Sequence, residues 1–257
     1  MKKSILTTIA SILCLVTLAQ TVEKNFNLNG SSSFSIVADY PGIVVHAGDQ
    51  NEVRVVADAS INGIPVSQAL EFDWNSSSNT LEIKTDMDIW EDWTDEEMEK
   101  YLEEMDCEDI KEQWLKKGKK WNNWSFDSDV NVYLPSKVRD LNIKSTYGSV
   151  VIDEISSKTR VFNTYGSIKA SANQGFDHCD LESTYSKVTL NLKEANRSNV
   201  TLRSDYGEIY TDMDLDIDTK KSTHKQFKSI IKATLNNGGS NEISLRSDYS
   251  NVYLKKV

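Results

Sequence analysis

Residues 142–152 read NIKSTYGSVVI and residues 161–170 read VFNTYGSIKA, and this tyrosine-centred pattern decides the fold. Three more copies follow: DLESTYSKVTL at 180–190, TLRSDYGEIY at 201–210 and SLRSDYSNVYL at 244–254. Their tyrosines are 18, 20, 21 and 43 residues apart, and the last interval holds about two periods with a degenerate copy near Phe227. Periods of this length are typical of stacked units that bury their apolar faces only against one another.

Within each copy, apolar and polar residues alternate as in a β-strand with one buried face. An aliphatic residue stands four positions before each tyrosine, and we expect this column to be buried in one stack: Ile143, Val161, Leu181, Leu202 and Leu245. A glycine or serine follows the tyrosine, where the chain can turn, and a second aliphatic residue comes three positions after it. The pattern predicts an all-β fold, a β-solenoid with coils of about 20 residues.

A β-sandwich would explain the alternation equally well, but not equivalent residues that recur every 20 positions. An earlier copy, SFSIVADYPGIVV at 33–45, places Ile36, Ala38, Tyr40 and Ile43 at the same offsets. Residues 75–79 are predicted to form a turn. We therefore expect one solenoid domain over residues 20–257, interrupted by an insertion at 86–124.

The first 19 residues are typical of a secretory signal peptide, with two lysines, an apolar stretch and a small residue at Ala19. This predicts an exported protein in the periplasm, on the outer surface or outside the cell, without a transmembrane segment. The net charge is −10, or −12 without Lys2 and Lys3, which argues against nucleic acid as a partner. In the exported compartment Cys107 and Cys179 are free to pair, although nothing in the sequence requires it.

The insertion carries 14 Asp and Glu against 6 Lys between Asp86 and Lys120. Thr94 and Glu97 have the spacing of a capping box, and the apolar residues that follow predict one helix to Lys117, ended by Gly118. Five of the six tryptophans lie in or beside it: Trp90, Trp93, Trp114, Trp121 and Trp124. We favour rings that hold the helix against the solenoid; the alternative is an exposed binding patch. The insertion is thus the predicted partner-facing element.

The segment TDMDLDIDT is predicted to place four carboxylates on one face of a strand: Asp212, Asp214, Asp216 and Asp218. These carboxylates either spread into solvent, which we favour, or bind Ca²⁺ as the only candidate cofactor. Alternate residues of a strand are about 6.5–7 Å apart, too far for the strand alone to enclose one ion.

Sequence motifs for catalysis are missing: the sequence has no nucleophile elbow, phosphate loop or dinucleotide fingerprint, and His46, His178 and His224 are isolated. Acidic pairs capable of glycoside hydrolysis cannot be recognised from spacing in sequence. For the tyrosine column, we favour packing over the alternative of an exposed aromatic strip.

The signal peptide, the Ser-Thr-Tyr-Gly-Ser-Val type of repeat and its period resemble the putative-adhesin family of secreted bacterial proteins, common in Bacteroidota. The resemblance covers Ser33 to Val45 and Leu141 to Leu254. It implies a right-handed β-helix at or outside the cell envelope, and it supplies no catalytic or ligand-binding residues. We therefore expect a non-enzymatic protein for surface adhesion, with a protein or glycan partner; the alternative is a carbohydrate-active β-helix enzyme that acts on a polysaccharide.

Overall fold

The computed structural model describes residues 21–48, 51–86, 88–89, 93–118, 125–193 and 196–257. In these residues the chain forms two β-sheets, of ten and eleven strands, with two α-helices and one short 3-10 helix, Ser67–Ala69. Both sheets mix parallel and antiparallel pairs, and neither closes on itself. The all-β prediction is confirmed at this level. The predicted signal peptide, residues 1–19, lies outside the described residues.

The strands, in chain order, are β1 (Thr21–Phe26), β2 (Ser33–Ala38), β3 (Gly42–Gly48), β4 (Val53–Ile61), β5 (Ile64–Pro65), β6 (Leu70–Asn75), β7 (Thr80–Thr85), β8 (Phe126–Pro135), β9 (Asp140–Ser145), β10 (Val150–Ile152), β11 (Lys158–Asn163), β12 (Ile168–Ala172), β13 (His178–Ser183), β14 (Val188–Leu192), β15 (Ser198–Asp205), β16 (Ile209–Thr211), β17 (Leu215–Ile217), β18 (Thr223–Lys225), β19 (Lys228–Leu235), β20 (Asn241–Ser247) and β21 (Val252–Lys256). The helices are α1 (Asp95–Glu104) and α2 (Glu108–Lys116).

The tyrosine repeats form the parallel part of both sheets. The first sheet has the order β1-β4-β8-β3-β10-β12-β14-β21-β16, with β5 beside β4. The second has the order β17-β19-β15-β20-β13-β11-β9-β2-β7-β6, with β18 beside β19. Because consecutive strands from β9 to β16 alternate between the second sheet and the first, the chain winds through the two sheets in a solenoid-like path.

The predicted aliphatic column lies in the core. In the second sheet Ile143 is the register partner of Val161, which is followed by Leu181, Leu245 and Leu202. All five side chains are at most 2% exposed, so the prediction is confirmed. Beside them runs a buried polar column: Ser145, Asn163, Ser183, Ser247 and Ser204.

The buried polar column joins each coil to the next. Ser183 Oγ donates to the Gly166 carbonyl at 3.1 Å, and Asn163 Nδ2 donates to the Gly148 carbonyl at 2.7 Å. A Cβ added to Gly166 would lie 2.1 Å from the Gly148 carbonyl oxygen. At Gly166 the close approach of adjacent coils therefore requires glycine, in addition to the turn of its own chain.

The coils do not stack in sequence order. The last repeat, β20 and β21, lies between the repeat of β13 and β14 and the repeat of β15 and β16. The sequence analysis assumed that successive coils stack on one another, which is wrong at this point. Repeats of similar length can pair in either order, so the sequence does not reveal that the last repeat lies between two earlier ones.

The segment near Phe227 is a hairpin rather than a degenerate coil. Strand β19 runs antiparallel to β15, and β18 runs antiparallel to β19. Lys225 and Lys232, whose charged side chains do not fit the repeat pattern, are both exposed in this hairpin. The hairpin thus extends the second sheet beyond the terminal coil.

At the opposite end, the early copy of the repeat is confirmed. Ile36 is the register partner of Ile143, and Ile43 is the partner of Val150. Residues 75–79 connect β6 and β7 as an antiparallel hairpin, as predicted, and Asn79 adopts a φ of 49°. Beyond this copy, β7 is parallel to β2 and β8 is parallel to β3, whereas β1, β4, β5 and β6 are antiparallel additions.

The insertion forms a pair of helices. Thr94 caps α1 as predicted: its hydroxyl accepts from the Glu97 N–H, and the Glu97 carboxylate accepts from the Thr94 N–H. Donation to the Glu97 carboxylate from the Thr94 N–H, and also from the Thr94 hydroxyl, lowers the pKa of Glu97. The prediction of a single helix to Lys117 is wrong, because the chain reverses at Asp106, whose φ is 53°. The break allows apolar residues of both helices, Met98, Leu102 and Trp114, to reach the core.

Both cysteines in the described residues are free thiols. Cys179 is fully buried beside Leu181, and Cys107 precedes α2. Burial raises the pKa of both thiols. The disulfide that the sequence left open is absent between these two residues.

Candidate functional site

The most distinctive surface of the protein is a stack of seven aromatic rings, which we call the tyrosine ladder. From one end to the other it consists of Tyr40, Tyr147, Tyr165, Tyr185, Tyr249, Tyr206 and Phe227. Neighbouring ring centroids lie 4.7 to 5.4 Å apart, close to the spacing of adjacent strands. The six tyrosines stack within 14° of parallel, and Phe227 is tilted by 27°.

The ladder exists because each coil supplies one ring at the same corner. The strands before the rings end at Ser145, Asn163, Ser183 and Ser247, and the tyrosine comes two residues later, in the bend. The Tyr165 N–H donates to the Thr146 carbonyl at 2.8 Å, and the same bond recurs from Tyr185 and Tyr249. Backbone bonds between coils thus fix the spacing of the rings.

The ladder is exposed, with relative exposures from 43% at Tyr40 to 63% at Tyr206. The sequence favoured packing of the tyrosine column over an exposed aromatic strip; the rings do pack on one another, but they are also exposed. The alternation of buried and exposed side chains would place the tyrosine on the buried face only if the strand continued as far as the tyrosine. The strands end before it, so the alternation does not apply there. The alternative of an exposed aromatic strip describes the structure.

Stacking decides which parts of the rings a partner can reach. A ring between two neighbours has both faces covered, so the inner rings present their edges and hydroxyl groups. Only the end rings, Tyr40 and Phe227, have a face without a ladder neighbour. The surface is therefore an apolar ridge with a row of hydroxyl groups at the strand spacing.

Ion pairs flank the ladder on the outer face of the second sheet. Arg246 bonds Asp248 at 2.9 Å and Glu182 at 3.0 Å, and Arg203 makes two bonds to Asp205, at 3.0 and 2.6 Å. These last two bonds lower the pKa of Asp205 and raise the pKa of Arg203. Charges beside the ladder are thus largely compensated in pairs.

The predicted tryptophan patch is only partly within the described residues. Trp114 is 3% exposed and lies in the core, and Trp93 is partly buried, with its ring edge-on to Tyr101 at 5.2 Å. For these two rings the structure matches the interpretation in which they hold the helices against the sheets. Trp90, Trp121 and Trp124 lie outside the described residues.

The four aspartates do not line one continuous strand. The chain bends between β16 and β17, where Met213 is buried. Asp212 accepts from the Lys256 N–H at 2.6 Å, and Asp218 accepts from the Lys220 and Lys221 N–H groups of a turn. Asp214 and Asp216 are exposed. Over the residues that the structure describes, no three His, Cys, Asp or Glu side chains are grouped so as to hold a metal ion.

The contacts of His46 and His224 form no triad-like arrangement. His224 bonds Ser229 Oγ at 2.8 Å on the second sheet, whereas His46 bonds Asp153 at 2.6 Å on the first. A nucleophile, a base and an orienting carboxylate therefore do not converge on either histidine.

A cavity of about 890 Å³ lies at the end of the solenoid, between the terminal coil and the β18–β19 hairpin. Its lining includes Tyr206, Ile209, His224, Phe227 and Ile231. The cavity is continuous with the end of the ladder, because Tyr206 and Phe227 belong to both.

Two stacked sheets wound from short repeats, with an exposed aromatic ladder along one corner, define a solenoid-like protein. Residues 118–255 match the family described as Toastrack DUF4097, and the chain belongs to this family. None of the curated proteins matches the chain.

The solved structures that resemble the chain include two from bacteria. A "putative cell adhesion protein" from Clostridium sporogenes is 12% identical, with a TM-score of 0.55 over 92% of this chain and 99% of that chain. A "putative adhesin" from Bacteroides fragilis is 11% identical, with a TM-score of 0.32 over 92% of this chain and 97% of that chain. The likeness to the Clostridium sporogenes protein shows a shared fold. Within the described residues, no helix is long and apolar enough to cross a membrane.

Proposed function

We propose that the protein is an exported, non-enzymatic surface-adhesion protein whose tyrosine ladder binds a protein partner. The observation that carries the proposal is the exposure of seven stacked rings in one continuous row. Exposed apolar surfaces of this kind mark interaction sites, and tyrosine is enriched at them. The name of the Clostridium sporogenes structure supports an adhesive role. Export through residues 1–19 and a right-handed winding in coils of about 20 residues belong to the same proposal.

The ladder is suited to binding because its rings are ordered before a partner arrives. Each inner ring is held between two neighbours at about 5 Å, so little side-chain freedom is lost on contact. Tyrosine edges supply apolar area, and the hydroxyl groups supply donors and acceptors. Rigid tyrosines of this kind contribute contact area at low entropic cost.

A protein partner fits the geometry better than a glycan partner. Sugars stack on the open faces of aromatic rings, and in the ladder the inner faces are covered by neighbouring rings. Ring edges and hydroxyl tips instead match the mixed apolar and polar character of a protein interface.

Binding of the purified protein to intact cells of the producing organism tests the proposal. The triple variant Tyr147→Ser, Tyr165→Ser and Tyr185→Ser interrupts the ladder. The control variant Tyr210→Ser and Tyr253→Ser removes a stacked pair outside the ladder, which lies on the first sheet with ring centroids 5.0 Å apart. We expect loss of binding in the triple variant and unchanged binding in the control.

Treatment of the cells identifies the partner class. Protease treatment is expected to abolish binding, and periodate oxidation of surface glycans to leave it unchanged. Loss of binding after periodate alone would contradict a protein partner, and equal binding by both variants would contradict the ladder as the site.

A further inference from the structure

The last repeat of the chain fills a slot between two earlier repeats. Strand β20 is bonded in parallel to β13 on one side and to β15 on the other. In the first sheet, β21 lies in the same way between β14 and β16. Residues 241–257 therefore form an inserted coil, in which Ile243, Leu245, Val252 and Leu254 are buried.

The chain that forms the slot does not need the inserted coil for its own connections. Segments 153–157, 173–177 and 193–197 each connect a strand of the first sheet to the next strand of the second, and they are equal in length. The first two connect coils that are direct neighbours. The third has the same length but connects coils that are separated by the insert. A connection of this length also joins directly neighbouring coils, so residues 241–257 are what keeps these two coils apart.

The hinge before the inserted coil is conformationally costly. Residues 236–240 lead from β19 across the end of β15 to β20 on its far side. Asn236, Asn237 and Gly238 have φ values of 52°, 64° and 70°. Asparagine enters this left-handed region more readily than other non-glycine residues, but residues usually adopt it singly and not in succession. A Cβ at Gly239 would lie 2.8 Å from the Arg197 carbonyl oxygen. Short hinges under strain favour exchange of the element that follows them.

We propose that the slot between the coils of Tyr185 and Tyr206 accepts residues 241–257 of a second copy of this chain, giving a strand-exchanged dimer. The occupant is a second copy because residues 241–257 already match the slot in strand register on both sides. Ser247 Oγ donates to the Ser186 carbonyl, Arg246 pairs with Glu182, and Tyr249 completes the ladder. Exchange reproduces all of these contacts between chains, and it relaxes the hinge.

Cross-linking of co-refolded full-length chains tests the exchange. All chains carry Cys14→Ser and Cys107→Ser, which leaves only the buried Cys179. One chain carries Glu182→Cys and a second, tagged chain carries Arg246→Cys; these positions are register partners on β13 and β20. The two chains are unfolded together, refolded at high concentration and treated with a short bismaleimide. Within a monomer neither chain has a second exposed thiol at this position.

A matched control uses Lys144→Cys in one chain and Phe162→Cys in the other. These positions are also register partners, but on β9 and β11, which do not exchange. We expect a covalent heterodimer from the first mixture and none from the control. The same yield from both mixtures, or none from the first, would overturn the proposal.

The hinge supplies a second test. Deletion of Gly238 and Gly239 prevents the chain from crossing β15, so the mass measured by light scattering should double from monomer to dimer. Insertion of two glycines at the same place should restore the monomer. A folded monomer after the deletion would contradict the proposal; if the deletion variant does not fold, the cross-linking result decides.

Discussion

Tyr249 stacks on Tyr185 with ring centroids 5.0 Å apart, although Tyr206 is the next tyrosine of the repeat in sequence. On its other side, Tyr249 stacks on Tyr206 at 5.2 Å. Residues 241–257 are therefore held between two coils. Val252 and Leu254 are fully buried as a result. The terminal segment is a structural member of the core.

The Leu202→Ala substitution is expected to lower the free energy of unfolding by about 2–5 kcal/mol, because it opens a cavity in the buried column. Leu202 is fully buried between Leu245 and Ile231. Urea denaturation followed by circular dichroism measures the change. Thr201→Ala, on the opposite face of the same strand, is the control and should cost less than about 1 kcal/mol. Equal losses in both variants would mean that the column does not carry the stability.

The Gly166→Ala substitution is expected to destabilise the protein by about 1–3 kcal/mol through overpacking. The added Cβ would lie 2.1 Å from the backbone oxygen of Gly148, which cannot move without separating two coils. The control is Gly175→Ala, where an added Cβ meets no atom within 4 Å. Thermal unfolding of the two variants compares them directly. A Gly166 variant as stable as the Gly175 variant would show that adjacent coils are less closely packed at this corner.

Sequence periodicity predicts the strands and their buried columns because both follow from alternation within a strand. Ile143, Val161 and Leu181 lie where the alternation places them. The exposed tyrosines were not predicted, because alternation has no meaning once the strand has ended. The position of Tyr249 was not predicted either, since the repeats are too similar to specify which pairs with which.

The two helices of the insertion show a different limit of prediction from sequence. The capping box at Thr94 was predicted because it depends on residues three positions apart. The reversal at Asp106 was not, because no glycine or proline marks it, and helical spacing continues beyond it. Burial of Trp114 depends on this reversal, so the helix spacing alone could not decide between a packing and a binding role.

Acid should weaken the contribution of the ion pair between Arg203 and Asp205. Hydrogen bonds from the Arg203 guanidinium are the main cause of the lowered pKa of Asp205 in the folded protein. A lowered pKa stabilises the folded state above the unfolded pKa of about 4, and this contribution is lost as the pH falls through the folded pKa. We expect Asp205→Asn to cost about 1 kcal/mol at pH 7 and progressively less below about pH 4.

Urea denaturation at a series of pH values measures this difference between the wild type and the variant. Asp216→Asn replaces an exposed carboxylate and is the control. If the two variants show the same pH profile, the ion pair does not contribute to stability.

The inner rings of the ladder are expected to stabilise the fold more than the end ring does. Tyr165 stacks on two neighbours, at 5.0 and 4.9 Å, whereas Tyr40 stacks on one ring of the ladder, at 4.7 Å. An aromatic pair contributes about 0.5–1.5 kcal/mol beyond its buried area, so Tyr165→Ala should cost about twice as much as Tyr40→Ala in the free energy of unfolding.

Tyr165→Phe keeps the stacked ring and removes only the hydroxyl, so it should retain nearly the full stability. Urea denaturation of the three variants provides the comparison. A Phe variant as unstable as the Ala variant would assign the contribution to the hydroxyl group, and equal losses at Tyr40 and Tyr165 would show that stacking between coils adds little.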